Sequence, residues 1–246
     1  MAVQHTIEQL RNLHLNGMLE GLNQQLADSA FLTASFEQRI QMLVDAEVSH
    51  RDTQRYLRIL KSAKLKVTAI PEEIDYDLRR GLDKGVVADL LTCSWIRKSH
   101  NLIVTGKTGT GKTWLACAFA VQAARSGLTV AYRRTGPLLE EMALGHDDGT
   151  ILRQRKQLAK AQLLIIDDFG LTSLTNRGRA DLLELLDERV NSRSTIIVGQ
   201  MPWKNWYDFI GDPALADAIM DRLIHSSVKL NLQGDSLRQK KTKPGQ

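Results

Sequence analysis

Two adjacent carboxylates, Asp167 and Asp168, close the apolar run Leu163-Leu164-Ile165-Ile166. Two acids set against such a run cannot both be buried and ionised without positive charge, because a bare desolvated carboxylate costs several kcal/mol. A bound cation is therefore expected there. Upstream, Gly106-Lys107-Thr108-Gly109-Thr110-Gly111-Lys112-Thr113 matches G-x-x-x-x-G-K-[ST] at every fixed position. Glycines at those positions let backbone amides wrap phosphates at a helix N-terminus, whose partial charge favours anions. Lys112 is expected at the β- and γ-phosphates and Thr113 on Mg²⁺, with Asp167 completing the metal site and Asp168 orienting or deprotonating the attacking water. The cofactors that follow are ATP and Mg²⁺.

These residues need an α/β sheet to position them. Leu102–Val104, Thr129–Tyr132, Leu163–Ile166 and Thr195–Val198 are short apolar runs alternating with helical segments, the pattern of a parallel sheet. After the phosphate loop, Leu115, Ala116, Phe119, Ala120 and Ala123 recur at helical spacing, and Gly127 closes that helix. Gln200, just past the last of the four runs, is expected beside Asp168, where it can sense the γ-phosphate or its water. The same spacing is compatible with a strand that merely ends in a polar turn.

Residues 1–66 show no strand pattern and divide into two helical segments, from about Gln4 to Ala27 and from Ser35 onward, the second opened by a Ser35/Gln38 capping box. Pro71 and the acidic stretch after it mark a linker, and Val86 to Ile96 reads as one helix. The expected division is an N-terminal helical domain, residues 1–66, and an ATPase domain, residues 67–246. Arg51, Arg55, Arg58, Lys61 and Lys64 follow at steps of three or four, with Asp52 the only nearby acid, and are taken as one stripe facing DNA phosphates or else solvent. The 246 residues carry a net charge of +5, which suits an anionic partner. Two cysteines, no zinc spacing, no signal peptide and no long apolar span point to a reduced, cytoplasmic protein with no membrane partner.

The absence of N-K-x-D argues against a GTPase. Arg222, expected on a polar-apolar helix within the stretch Ala216 to Leu232, is a candidate to reach a neighbouring subunit's ATP. The loop GKTGTGKTWLA, the strand LLIIDDFG, the stretch GQMPWKNWYDFIGDPALADAIMDRLIH and GDSLR together resemble the IstB family of insertion-sequence helper ATPases, relatives of DnaC and DnaA in the AAA+ class. The resemblance covers nearly the whole chain. It implies an AAA+ ATPase that forms a homo-oligomer on double-stranded DNA and assists a partner transposase; helicase loading is the alternative, and a metabolite kinase a distant third. By motif, Lys112 and Thr113 become the Walker A pair, Asp167 and Asp168 the Walker B acids, Gln200 sensor one, Arg222 the arginine finger and Arg238 sensor two. Arg189 and Arg193 compete for the trans role. Asp168 stands where most AAA+ proteins have Glu, which implies slow hydrolysis, and Trp114 stands where relatives often have His. The resemblance places DNA inside the oligomer, where Arg153, Arg155, Lys156, Lys160, Arg177 and Arg179 supply cations without a base-reading pattern.

Overall fold

A computed structural model describes residues 2–76 and 80–237. The chain divides into two compact units, Met1–Arg58 and Ile59–Gln246, the boundary falling within a long helix.

The first unit is helical: α1 (Ala2–Asn12), α2 (Asn16–Ala27), a 3₁₀ turn (Ser29–Thr33) and most of α3 (Phe36–Ala63). The capping box forms, with Gln38 N donating to Ser35 Oγ at 3.3 Å and Ser35 N to Gln38 Oε1 at 2.9 Å. The single helix expected over Gln4 to Ala27 is broken at His14, which takes a left-handed φ of 57°. The reason is tertiary. Glu47 of α3 accepts from the amides of Gly17 (2.8 Å) and Met18 (3.1 Å), satisfying a new helix N-terminus that local periodicity does not reveal.

The second unit is built on a five-stranded parallel sheet in the order β2-β3-β4-β1-β5. Its strands are β1 (Asn101–Gly106), β2 (Val130–Arg134), β3 (Leu163–Phe169), β4 (Ser194–Gly199) and β5 (Ser227–Leu232). The four expected strands are present and run a residue or more longer. The fifth was not expected: the helix expected around Arg222 is present as α11 (Pro213–Ile224), but it stops there and Ser227–Leu232 pairs with β1 from Asn101 to Gly106. Its alternation of buried and exposed residues is the period of an edge strand.

Helices α4 (Lys84–Leu91) and α5 (Ser94–Arg97) replace the one expected over Val86 to Ile96, because Cys93 turns left-handed and the Trp95 indole donates to Leu90 O at 2.9 Å. Helix α6 (Lys112–Arg125) follows the phosphate loop and is buried along most of its length. It closes through Gly127 as expected, with Leu128 N donating to Ala123 O at 2.9 Å. Between the remaining strands lie α7 (Thr135–Asp147), α8 (Ile151–Lys160), α9 (Asn176–Asp187) and α10 (Trp206–Ile210). Their apolar faces form one core with Ile103, Leu164, Ile166 and Ile197, while α6 packs on β1 to β4. Alternate strand residues such as Leu163 and Ile165 are equally buried, so both faces of the sheet are covered. The acidic stretch taken as a linker is folded: Pro71 and Ile74 are buried, and Glu72 pairs with Arg125 of α6.

Candidate nucleotide-binding site

Strand β4 lies between β1 and β3, so the loop after β1 and the acids on β3 face one another across the carboxyl end of β4. Gly106 to Gly111 make the turn from β1 into α6. A side chain at Gly106 would collide with the Leu232 carbonyl, and one at Gly109 with Ser236. Leu237 N donates to Gly109 O at 2.9 Å, so Ser236 and Leu237, just past β5, lie against the loop. Thr110 is buried and its hydroxyl donates to Lys107 O at 2.9 Å. Lys112 Nζ donates to the same carbonyl at 2.7 Å.

Asp167 is 1% exposed yet surrounded by donors. Its Oδ2 accepts from Thr113 Oγ1 at 2.8 Å and from the Tyr132 hydroxyl at 2.6 Å, and its Oδ1 accepts from Asp168 N at 2.8 Å. Burial first, and then the neighbouring Asp167 carboxylate, push the Tyr132 phenol far above its ordinary value, so it stays a donor. The β3–β4 register shifts between Ile166 and Phe169, and Asp168 adopts a φ of 59°. Such a conformation is strained in a non-glycine residue, by about 1–3 kcal/mol, and is found most often where function holds it.

Asp168 is held by cations of the protein itself. Arg134 Nε donates to its Oδ2 at 2.7 Å, and Lys66 Nζ lies 3.7 Å from the same oxygen. The hydrogen bond to Asp168 raises the Arg134 pKa. The two acids therefore divide: Asp167 is buried among neutral donors, whereas Asp168 is partly exposed and ion-paired. This corrects the expectation that a bound cation alone must balance them. Gln200 follows Gly199, which pairs with Phe169 beside Asp168, and its Oε1 accepts from Thr108 Oγ1 at 2.7 Å.

These groups line one cavity of about 460 Å³, in which Lys112, Thr113, Asp167, Asp168 and Gln200 are joined by Val67, Glu73, Asp75, Arg80, Trp114 and Leu237. Thr113 and Asp167 offer hard oxygen ligands in contact with one another, and among the described residues no three His, Cys, Asp or Glu side chains cluster. A set of this kind suits Mg²⁺, which keeps waters and phosphate oxygens as most of its ligands. Tyr132, Arg134, Lys66 and Arg80 were missed in the sequence. Tyr132 alone carried a signal, since a phenol inside a buried strand needs a hydrogen-bond partner.

The model for the IstB-like ATP binding proteins matches residues 8–244. The chain belongs to that family. It is 38% identical over 238 residues to an insertion-sequence ATP-binding protein of Sinorhizobium fredii, covering 97% of each chain. It is 45% identical over 203 residues to the ATP-binding protein of insertion sequence IS1162 from Pseudomonas fluorescens, covering 82% of this chain and 88% of that one. AMPPCP-bound DnaA from Aquifex aeolicus is similar in fold at a TM-score of 0.58 and 21% identity, over 72% of this chain and 54% of that one. The fold is the AAA+ P-loop core preceded by helices. The chain is thus one of the IstB-like ATP binding proteins.

The expected cationic surfaces fare unevenly. On α8, at roughly 100° per residue, Arg153, Lys156 and Lys160 share a face about 60° wide, and all three are exposed. Arg155 lies on the opposite side, buried and paired with Glu184 of α9, which removes it from the surface. Arg177 is exposed, but Arg179 is half-buried and donates to Ile210 O and to Asn176 Oδ1, tying α9 to α10. On α3, the same geometry groups Arg51, Arg55 and Arg58, places Lys61 about 60° further round, and leaves Lys64 beyond the helix end with a φ of 55°. The five do not form one stripe. Arg51 is bonded to Glu47 at 2.6 Å, so Asp52 is not the only acid at hand.

Arg222 donates to Asp187 at 2.8 Å through Nε and to Ala218 O at 2.9 Å through Nη1. Arg189 is 1% exposed and donates to the carbonyls of Leu158, Ala161 and Ser194, with burial, and then Arg193, lowering its pKa to about 9. It is a structural tie and leaves the contest for a trans role, in which exposed Arg193 remains. Arg238 lies outside the described residues. No helix among the described residues is long and apolar enough to cross a membrane.

Proposed function

We propose that this chain is an ATPase that assembles on double-stranded DNA as a homo-oligomer in the cytoplasm and assists the transposase of its insertion sequence. The observation that carries the reading is the contact of Thr113 with Asp167 beneath the loop Gly106–Thr113, in one cavity with Lys112, Asp168 and Gln200. Loop amides and Lys112 hold the triphosphate, Thr113 and Asp167 hold Mg²⁺ directly or through water, Asp168 orients the attacking water, and Gln200 senses the γ-phosphate. The metal supplies charge neutralisation at the β- and γ-oxygens.

The homo-oligomer supplies a second set of groups. Arg222 is the first choice for a group reaching the next subunit's ATP, which requires it to exchange Asp187 for phosphate; Arg193 is the second. Arg238, by resemblance, acts in cis. Duplex DNA meets the exposed face of α8 with Arg153, Lys156 and Lys160, assisted by Arg177, while the N-terminal helical domain, residues 1–66, contributes to assembly and adds phosphate contacts through Arg51, Arg55 and Arg58. Contacts of this type neutralise the backbone and discriminate little between sequences.

The deciding experiment measures ATP hydrolysis with Mg²⁺ and two unrelated DNA duplexes, images the complexes, and tests copurification with the transposase of the same element. DNA-stimulated turnover, ATP-dependent oligomers on both duplexes and retention of the transposase are expected. Turnover indifferent to DNA, with no oligomer on it, would overturn the reading; retention of a replicative helicase in place of the transposase would replace it with helicase loading.

A further inference from the structure

Arg80 is 6% exposed, belongs to no assigned motif and lies more than twenty residues ahead of the phosphate loop in sequence, yet it touches that loop. Its Nη2 donates to Thr110 O at 3.1 Å and would stand 3.0 Å from a Cβ built on Gly111. Its Nη1 donates to Asp75 O at 3.0 Å and lies 3.9 Å from the Asp75 carboxylate. The backbone is pinned as well, since Gln233 N donates to Arg80 O at 3.0 Å. Its buried Nε has no hydrogen-bond partner among the described residues. A charged donor in that condition is costly, and a guanidinium held on both sides by fixed partners cannot swing out to water.

The cavity lined by Arg80 says what completes it. The loop amides, Lys112, Thr113 and the two acids account for a triphosphate and its metal. The remaining lining residues, among them Val67, Glu73, Asp75, Arg80, Trp114 and Leu237, are left for the other half of the ligand, the nucleoside. Nε itself is sealed from the cavity, but Nη2 spends only one of its two N–H bonds on Thr110, and a nucleoside offers ring nitrogens and sugar oxygens to accept from the other.

Resting on the assignment of this cavity to ATP, we propose that Arg80 contacts the nucleoside portion of the bound nucleotide, its second Nη2–H donating to a base or ribose acceptor. Arg80 thereby couples occupancy of the nucleoside end to the shape of the phosphate loop through Thr110.

The test compares the wild-type protein with R80K and R80Q, measuring affinity for ATP, ADP and inorganic tripolyphosphate on the same folded samples. Lysine keeps the charge and a donor toward Thr110 but has no planar fork to hold a second N–H toward the ligand. The expected result is a loss of about tenfold or more for ATP and ADP in R80K, with tripolyphosphate affinity changed less than about twofold. Equal losses for all three ligands would make Arg80 a brace for the loop alone, and no loss for any would remove it from the site; either overturns the proposal. A readout in the wild-type protein covers variants that fail to fold: one arginine Nε–H resonance in ¹⁵N-labelled protein should move with ATP and ADP and stay in place with tripolyphosphate, and absence of such a resonance would count against Arg80. Contacts to the base and to the sugar separate in a GTP and deoxy-ATP series. Failure of the ATP assignment itself looks different, because the wild-type protein would then bind neither ATP nor tripolyphosphate.

Discussion

The nucleotide cavity and the outer face of α8 are both rich in charge, and they are built on opposite terms. In the cavity nearly every charged or polar side chain is engaged: Lys112 with a loop carbonyl, Asp167 with three donors, Asp168 with Arg134 and Lys66. On α8, Arg153, Lys156 and Lys160 are exposed, whereas Arg155 of the same run is turned inward against Glu184. Fixed partners create a geometry that one ligand fits. Solvated cations create a field that any polyanion feels. Loss of a group should therefore act selectively in the first region and uniformly in the second.

The largest effect expected is that of K112A, which removes the mobile cation at the β- and γ-phosphates and should weaken ATP binding about a hundredfold or more by calorimetry. Near-normal affinity would separate the loop from nucleotide binding. D168N should come next: ATP affinity is kept, because Thr113 and Asp167 are untouched, while steady-state hydrolysis falls by about 10²–10⁴. Undiminished turnover in D168N would leave the Arg134 pair with a purely structural meaning.

On α8, K156A with K160A should reduce the slope of log affinity against log salt by about two units for duplexes of any sequence. ATP affinity without DNA should not change. A slope that stays constant in the folded variant would move the DNA contacts to Arg51, Arg55 and Arg58 of α3.

The smallest effect concerns Tyr132. Y132F deletes one donor to buried Asp167 and should cost about 1–2 kcal/mol near neutral pH in a denaturant titration. The sign with pH is definite. The phenol in the fold is pushed up from its ordinary 10.0, first by burial and then by Asp167, so above that pH the unfolded chain releases a proton that the folded chain keeps. Wild-type stability should then fall with rising pH relative to Y132F, and parallel stability curves through pH 11 would mean that the phenol ionises normally.

The same contrast explains what the sequence made legible. Thr113, Asp167 and Gln200 could be placed from spacing alone, because phosphate chemistry restricts residue type and a parallel sheet brings strand ends together. Arg134 and Tyr132 could not: their meeting with the acids depends on the β2–β3 register, in which Tyr132 pairs with Ile165 and Arg134 with Asp167, and one step of slip would exchange the faces. The inward positions of Arg155 and Arg189 are hidden in the sequence for a related reason. A long cationic side chain on a half-buried helix or loop goes inward when carbonyls or a carboxylate wait there, and neither Glu184 nor the carbonyls of Leu158, Ala161 and Ser194 are neighbours in sequence. The break at His14 has no local signal because the group that caps the new helix, Glu47, sits thirty positions beyond Gly17.

Trp114 takes part in the cavity wall one position after Thr113, half-buried, whereas Trp95 and Trp206 are sealed in the core and Trp203 lies under Lys229. The chain thus carries its own optical probe at the place where a nucleotide would dock. Indole emission responds to the polarity and quenching of its surroundings, so filling of this cavity could be followed in real time by intrinsic fluorescence, with W114F as the silent control and no dye attached.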